Sequence, residues 1–251
     1  MLKRRIIPIQ LLSKGRLVKT SCFSAPLDVG DPVQSSKVYS DQDADELLLL
    51  QIGMEMRSVA SLVDVVVSIA EKCFVPLTVG GGIVCLEDAV QLISSGADKI
   101  VLNSIAYEDY SIITSIAERF GSQAVVVGID VRKQDEEYVL FSHCGTRKTN
   151  ISLELHIASI VQSGAGELII QSIDRDGMRG GYDIELLKRV VDTCPLPIIG
   201  AAGAGNFMHL KEAFDVGIDA TACGSLFNFG DNSPLRAKAF LKNYGVPLKN
   251  I

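Results

Sequence analysis

Short runs of aliphatic and β-branched residues recur along the chain at 5–12, 46–52, 75–79, 99–103, 124–130, 167–172, 196–200 and 220–224. Each is too continuously apolar for a strand with one wet face, so each reads as a strand buried on both sides. Between most of them the apolar positions take helical spacing, as in Leu62-Val63-Val66-Val67-Ala70 and Ala89-Val90-Leu92-Ile93. Strand and helix in alternation imply parallel strands joined by crossover helices. Eight such strands within 251 residues predict a (β/α)8 barrel rather than an open, doubly wound sheet.

An internal repeat sharpens this prediction. The segment Val75-Pro76-Leu77-Thr78-Val79-Gly80-Gly81-Gly82-Ile83 is echoed by Leu196-Pro197-Ile198-Ile199-Gly200-Ala201-Ala202-Gly203-Ala204, 121 residues later. The same offset relates Gly96-Ala97-Asp98 to Gly217-Ile218-Asp219, Asn103-Ser104 to Gly224-Ser225, and Ala44-Asp45-Glu46 to Ala165-Gly166-Glu167. Two fused half-barrels, roughly 1–120 and 121–251, follow. No linker or low-complexity segment separates them, so 1–251 reads as one domain.

Composition narrows the function. With 47% hydrophobic and 22% charged residues the chain has ample material for a core. Its net charge is −6 with Lys and Arg scattered, which leaves no basic stripe for nucleic acid. The opening Met1-Leu2-Lys3-Arg4-Arg5 and the apolar run after it imitate a signal peptide, but Gln10 interrupts the run and Lys14 closes it early. A buried first strand is expected instead. No apolar stretch approaches a bilayer's thickness, and a cytoplasmic location is expected. Six cysteines at 22, 73, 85, 144, 194 and 223 include no C-x-x-C pair. They read as reduced thiols; with three separated histidines they form no metal set, and no cofactor is implied.

Candidate chemistry gathers at the predicted strand ends. The glycine turns Gly80-Gly81-Gly82 and Gly203-Ala204-Gly205 let backbone N–H groups approach an anion. Each is followed about twenty residues later by a second strand end, Asn103-Ser104 or Gly224-Ser225, that would complete the cradle. A barrel commonly binds phosphate after its last two strands, and the repeat predicts a matching site after the third and fourth. Tight βα turns are the alternative reading of the same glycines, and the symmetric pair speaks against it. Asp130 ends the fifth strand, where partial burial would suit it to proton transfer; capping a helix or pairing with Arg132 are the alternatives. Asp176, in Asp174-Arg175-Asp176-Gly177, reads as a capping or ligand-positioning residue. Strand parity aligns Arg5, Glu46, Lys99 and Glu167 with inward-facing apolar positions. Two cations and two anions would meet at the base of the barrel, as a structural ring or as a gate.

These residues, with Lys3-Arg4-Arg5-Ile6-Ile7-Pro8, Gly15-Arg16-Leu17-Val18-Lys19, Gly30-Asp31-Pro32-Val33 and Phe120-Gly121-Ser122-Gln123, make the sequence resemble the cyclase subunit of imidazole glycerol phosphate synthase along nearly its whole length. The resemblance implies a (β/α)8 barrel that docks a glutaminase subunit as a heterodimer on its bottom face, conducts ammonia through the bore and cyclises a bisphosphate on top. It assigns Arg5, Glu46, Lys99 and Glu167 to an ammonia gate and Asp98 to the glutaminase interface. It assigns phosphate contacts to Lys19, Gly82, Asn103, Ser104, Asp176, Gly177, Gly203, Gly224 and Ser225, and makes Asp130 one of two catalytic carboxylates. The chain has no glycine-flanked nucleophilic Cys of its own, so a partner must release the ammonia. His143, His156 and His209 read as loop or helix-surface residues.

The departure from the family lies at the second carboxylate. Its pattern after the first strand is Pro-Cys-Leu-Asp-Val, whereas this chain has Pro8-Ile9-Gln10-Leu11-Leu12, placing Leu11 where the acid should stand. Losing one member of such a pair costs on the order of 10²–10⁴ in rate, leaving Asp130 to work with water or Gln10. Gln51, Gln171 and Ala201 depart from the family on the same rim. With a retained base, an altered top and the Leu11-Leu12 and Val18-Lys19-Thr20 pattern, the chain resembles second-copy homologues of this family, a resemblance that implies passing ammonia to a synthetase acting on a nucleotide-linked N-acetyl sugar in surface-polysaccharide biosynthesis. The alternatives are an active histidine-pathway cyclase and a non-catalytic scaffold.

Overall fold

The computed structural model describes residues 3–53 and 58–249; Met1 and Leu2 of the basic opening segment lie outside them. In chain order the strands are β1 (Arg5–Ser13), β2 (Arg16–Ser21), β3 (Ser24–Gly30), β4 (Leu47–Gln51), β5 (Leu77–Gly80), β6 (Lys99–Leu102), β7 (Val125–Gln134), β8 (Glu137–Ser142), β9 (Arg147–Lys148), β10 (Glu167–Ser172), β11 (Ile198–Ala201) and β12 (Ala220–Cys223). Eight of these, β1, β4, β5, β6, β7, β10, β11 and β12, pair in parallel in that order, and β12 returns to pair with β1. This is the closed (β/α)8 barrel that the alternation predicts, and all eight predicted strands are present.

Among the described residues nine α-helices are found, α1 (Pro32–Asp41), α2 (Ala60–Ala70), α3 (Leu86–Ser94), α4 (Ser111–Phe120), α5 (Leu153–Gln162), α6 (Ile184–Thr193), α7 (Phe207–Asp215), α8 (Ser225–Asn228) and α9 (Pro234–Lys242). Local chemistry fixes where several begin. Asp31, Ser152, Asp183, Asn206 and Ser233 each accept a hydrogen bond from a first-turn backbone N–H, and prolines open α1 and α9. None is long and apolar enough to cross a membrane.

The sheet separates two apolar cores. Outward residues such as Ile6, Leu49, Ile100, Val127 and Ile170 pack against the helices. Inward residues at alternate positions, Ile7, Ile9, Leu48, Val101, Val126, Ile169 and Ile199, fill the bore.

Two antiparallel excursions, β2–β3 after β1 and β8–β9 after β7, rise from the C-terminal rim. The hydropathy pattern does not foresee them, because β3 is largely exposed and β9 has only two residues. They sit at equivalent places in the two halves, and β1 and β7 stand four strands apart, on opposite sides of the barrel. The repeat is therefore a twofold-like arrangement around the mouth.

Candidate active site at the barrel mouth

The C-terminal ends of the strands open into a cavity of about 470 Å³ whose wall includes Leu11, Gly82, Asn103, Ser104, Asp130, His143 and Gln171. A smaller cavity of about 30 Å³ adjoins it, lined by Lys19, Asp176, Gly177, Arg179, Gly203, Gly224 and Ser225. Leu11 and Gln171 line both. The two predicted cradles thus lie at opposite ends of one continuous mouth, with β5 beside β6 and β11 beside β12 as expected.

Asp130 is buried on β7, and Asn103 Nδ2 donates to its Oδ2 at 3.0 Å. Burial pushes its carboxyl up to about 7; the Asn103 hydrogen bond opposes this and the charge of Asp176 adds to it. A carboxyl poised there both gives and takes a proton at neutral pH. It is not paired with Arg132, whose guanidinium lies 3.5 Å from Asp174. Across the mouth Leu11 presents an aliphatic side chain among Ile9, Val18 and Ala201. Gln10 is no substitute, because it points behind the sheet and its amide hydrogen-bonds to Ser36 on α1.

In the smaller cavity burial lowers the Lys19 ammonium to about 8. Its Nζ donates to the Ile9 carbonyl at 2.9 Å. Gly224 gives it room: a Cβ there would sit 2.6 Å from that nitrogen, so a larger residue would make the lysine end shift. An arriving anion would meet Lys19, the end of β12 and the short α8 that Ser225 opens. Asp176 does not cap a helix. Its Oδ2 accepts from the Thr20 hydroxyl at 2.6 Å and from the Phe23 backbone N–H at 3.1 Å, tying the β2–β3 excursion to the rim. Gly177 serves the same contact: its φ is 71° and a Cβ would lie 2.2 Å from the Thr20 carbonyl.

At the opposite end of the bore the four charged residues form one ring. Arg5 pairs with Glu46 at 2.8 Å and with Glu167, while Lys99 lies 3.0 Å from each of the same two carboxylates. Thr78, inward-facing but absent from the sequence-based set, donates to Glu46 at 2.5 Å. Above this ring the bore is apolar up to Asp130. Asp98 sits outside it and has a fold role. Its Oδ2 accepts from Leu77 N at 2.8 Å, as Asp45 does from Ile6 and Asp219 from Ile198. The repeated Asp is a clip that staples one strand's start to its neighbour's.

His156 corrects the surface assignment of the histidines: it is fully buried, stacked on Tyr107 and hydrogen-bonded to Tyr110. Burial lowers it to about 4, so it is neutral. His143, on the loop after β8, belongs to the cavity wall, which its sequence surroundings do not signal. Among the described residues no group of His, Cys, Asp or Glu has the arrangement of a metal site.

Fold and site together define the class: a closed (β/α)8 barrel with glycine turns at its mouth and a buried carboxyl between them. Residues 5–233 match the family of histidine biosynthesis proteins, and the chain belongs to that family. Over 99% of its length it is 40% identical to imidazole glycerol phosphate synthase subunit HisF of Chloroherpeton thalassium, covering all of that protein. It is 41% identical to the same-named subunit of Thermotoga sp., covering 98% of it, and 40% identical to that of Campylobacter concisus, again covering 98%.

Proposed function

We propose that the chain is the ammonia-using barrel subunit of a glutamine-dependent synthase of the imidazole glycerol phosphate type. A bisphosphorylated substrate spans the mouth, one phosphate at Gly82, Asn103 and Ser104 and the other at Lys19, Gly203, Gly224 and Ser225. A glutaminase subunit docks on the base, and its ammonia passes the ring of Arg5, Glu46, Lys99 and Glu167. Asp130 moves the protons of ring closure. The observation that carries this reading is the alignment on one axis of the charged ring, the apolar bore and a carboxyl held near 7 between two cradles. The names of the relatives support histidine-pathway ring closure over amidotransfer to a sugar.

Leu11 favours a second reading. With Leu11 rather than an acid facing Asp130 across the mouth, the chain would serve as the conduit and hand ammonia to a synthetase acting on a nucleotide-linked N-acetyl sugar. Purified chain with saturating ammonium and the bisphosphate substrate of the cyclase, compared with Leu11→Asp, separates the two. Ring closure predicts turnover by the unmodified chain and a rise on the order of 10²-fold in the variant. Substrate that binds but turns over only in Leu11→Asp supports the conduit. Absence of binding by both overturns the bisphosphate reading altogether.

A further inference from the structure

The two ends of the mouth differ in charge. The smaller cavity has Lys19 and Arg179 on its wall, whereas none of the described residues lining the larger one is Lys or Arg. Its ionisable side chains other than Cys144 are Asp130, Glu108 and His143. A phosphate dianion at the Gly82–Asn103–Ser104 end would therefore sit near two carboxylates, and among the described lining residues the imidazole is the side chain that can offset them.

His143 is built into that end. Its backbone N–H donates to the Ser104 hydroxyl oxygen at 2.9 Å, which fixes it to the cradle residue itself. His143, Cys144 and Gly145 take φ values of 53°, 55° and 75°, an unusual left-handed run for two residues with side chains. The Ser142 hydroxyl oxygen lies 3.0 Å from His143 Nδ1 and 3.5 Å from the Arg147 carbonyl oxygen. Nδ1 is thereby engaged by Ser142, and Nε2 is the ring nitrogen left for a ligand. Among the described residues the near approach to Nε2 is Glu108 Oε1 at 3.9 Å, beyond hydrogen-bond reach, and that carboxylate is itself 3.7 Å from the Arg147 guanidinium.

We propose that the His143 imidazolium is the cationic contact for the phosphate at the Gly82–Asn103–Ser104 end, and thereby selects ligands bearing phosphate at both ends. The inference rests on the two-phosphate reading above and names the residue that completes it. Charge-assisted N–H···O⁻ contacts are about twice as strong as neutral ones, so one such contact decides between ligands that differ by a single phosphate.

Calorimetric titration of the full chain with fructose 1,6-bisphosphate and with fructose 6-phosphate tests it. His143→Ala is expected to raise Kd for the bisphosphate about tenfold and to leave the monophosphate, held by Lys19, within twofold. His143→Arg restores the bisphosphate affinity and His143→Gln does not. An unchanged bisphosphate Kd in His143→Ala, while the parent chain prefers the bisphosphate, overturns the role of His143 alone. A parent chain with no preference between the two probes overturns the two-phosphate reading and this inference with it. Equal melting temperatures of the parent and the variants exclude misfolding as the cause of any loss.

Discussion

Asp130 shows how one residue ties stability to chemistry. A carboxyl at about 7 in the folded chain and near 4 when unfolded binds more protons in the folded state between those values. Stability contributed by this group is therefore lost as pH rises from about 4 to about 7. Asp130→Asn removes that cost and keeps a partner for Asn103. The variant is expected to be more stable than the parent at pH 8 by about 2–4 kcal/mol, an order-of-magnitude figure from the shift, and equal to it at pH 4. Urea unfolding at the two pH values checks this; a gain of the same size at both would mean that ionisation is not the cause. The apolar run 124–130 placed Asp130 at a strand end, but its protonation follows from burial, which only packing creates.

At the scale of elements, the β2–β3 excursion is paired to β1 and tied to the rim beyond β10. Asp176 holds it through Thr20 and Phe23, and Gly177 allows the close approach. Gly177→Ala puts a Cβ where the Thr20 carbonyl lies and at a φ that disfavours a side chain, a strain of order 1–3 kcal/mol. The excursion is expected to loosen while the barrel stands. Hydrogen exchange should quicken at Lys19 and Thr20 and stay unchanged in β5 and β11. The barrel strands were legible because burial on both faces writes a continuous apolar run. β2, β3, β8 and β9 were not, since β3 and β9 are exposed and the short buried runs of β2 and β8 include polar residues such as Lys19, Thr20 and Ser142. The same limit hid His143, whose place on the cavity wall is set by the β8–β9 excursion.

Across the whole molecule the two halves are joined by more than the sheet. Lys238 of α9, in the second half, is fully buried; its ammonium lies 2.8 Å from Asp45 and 2.9 Å from Asp43 of the first. Asp45 in turn clips Ile6 at the start of β1, next to the ring residue Arg5. Lys238→Met is expected to destabilise the fold by about 3–5 kcal/mol, because it leaves the buried Asp45 carboxylate without its counter-charge. Chemical denaturation of the isolated chain reads this directly, and a loss below about 1 kcal/mol would show that the pair merely breaks even. The test of Asp98 in partner docking likewise needs Asp98→Asn rather than Asp98→Ala, since the amide oxygen preserves the clip to Leu77.

The barrel, the twofold repeat, the glycine turns and the inward ring of Arg5, Glu46, Lys99 and Glu167 were determined by the sequence, because periodicity and residue spacing are local properties that every chain carries openly. So was the loss of an acid at position 11. Tertiary structure alone decided that Leu11 and Asp130 face each other across one mouth, that Gln10 turns away, that His156 is interior and that Asp98 is a strand clip. These depend on which distant segments come to share a wall, and on the water they exclude in doing so; neither is encoded in any short stretch of the chain.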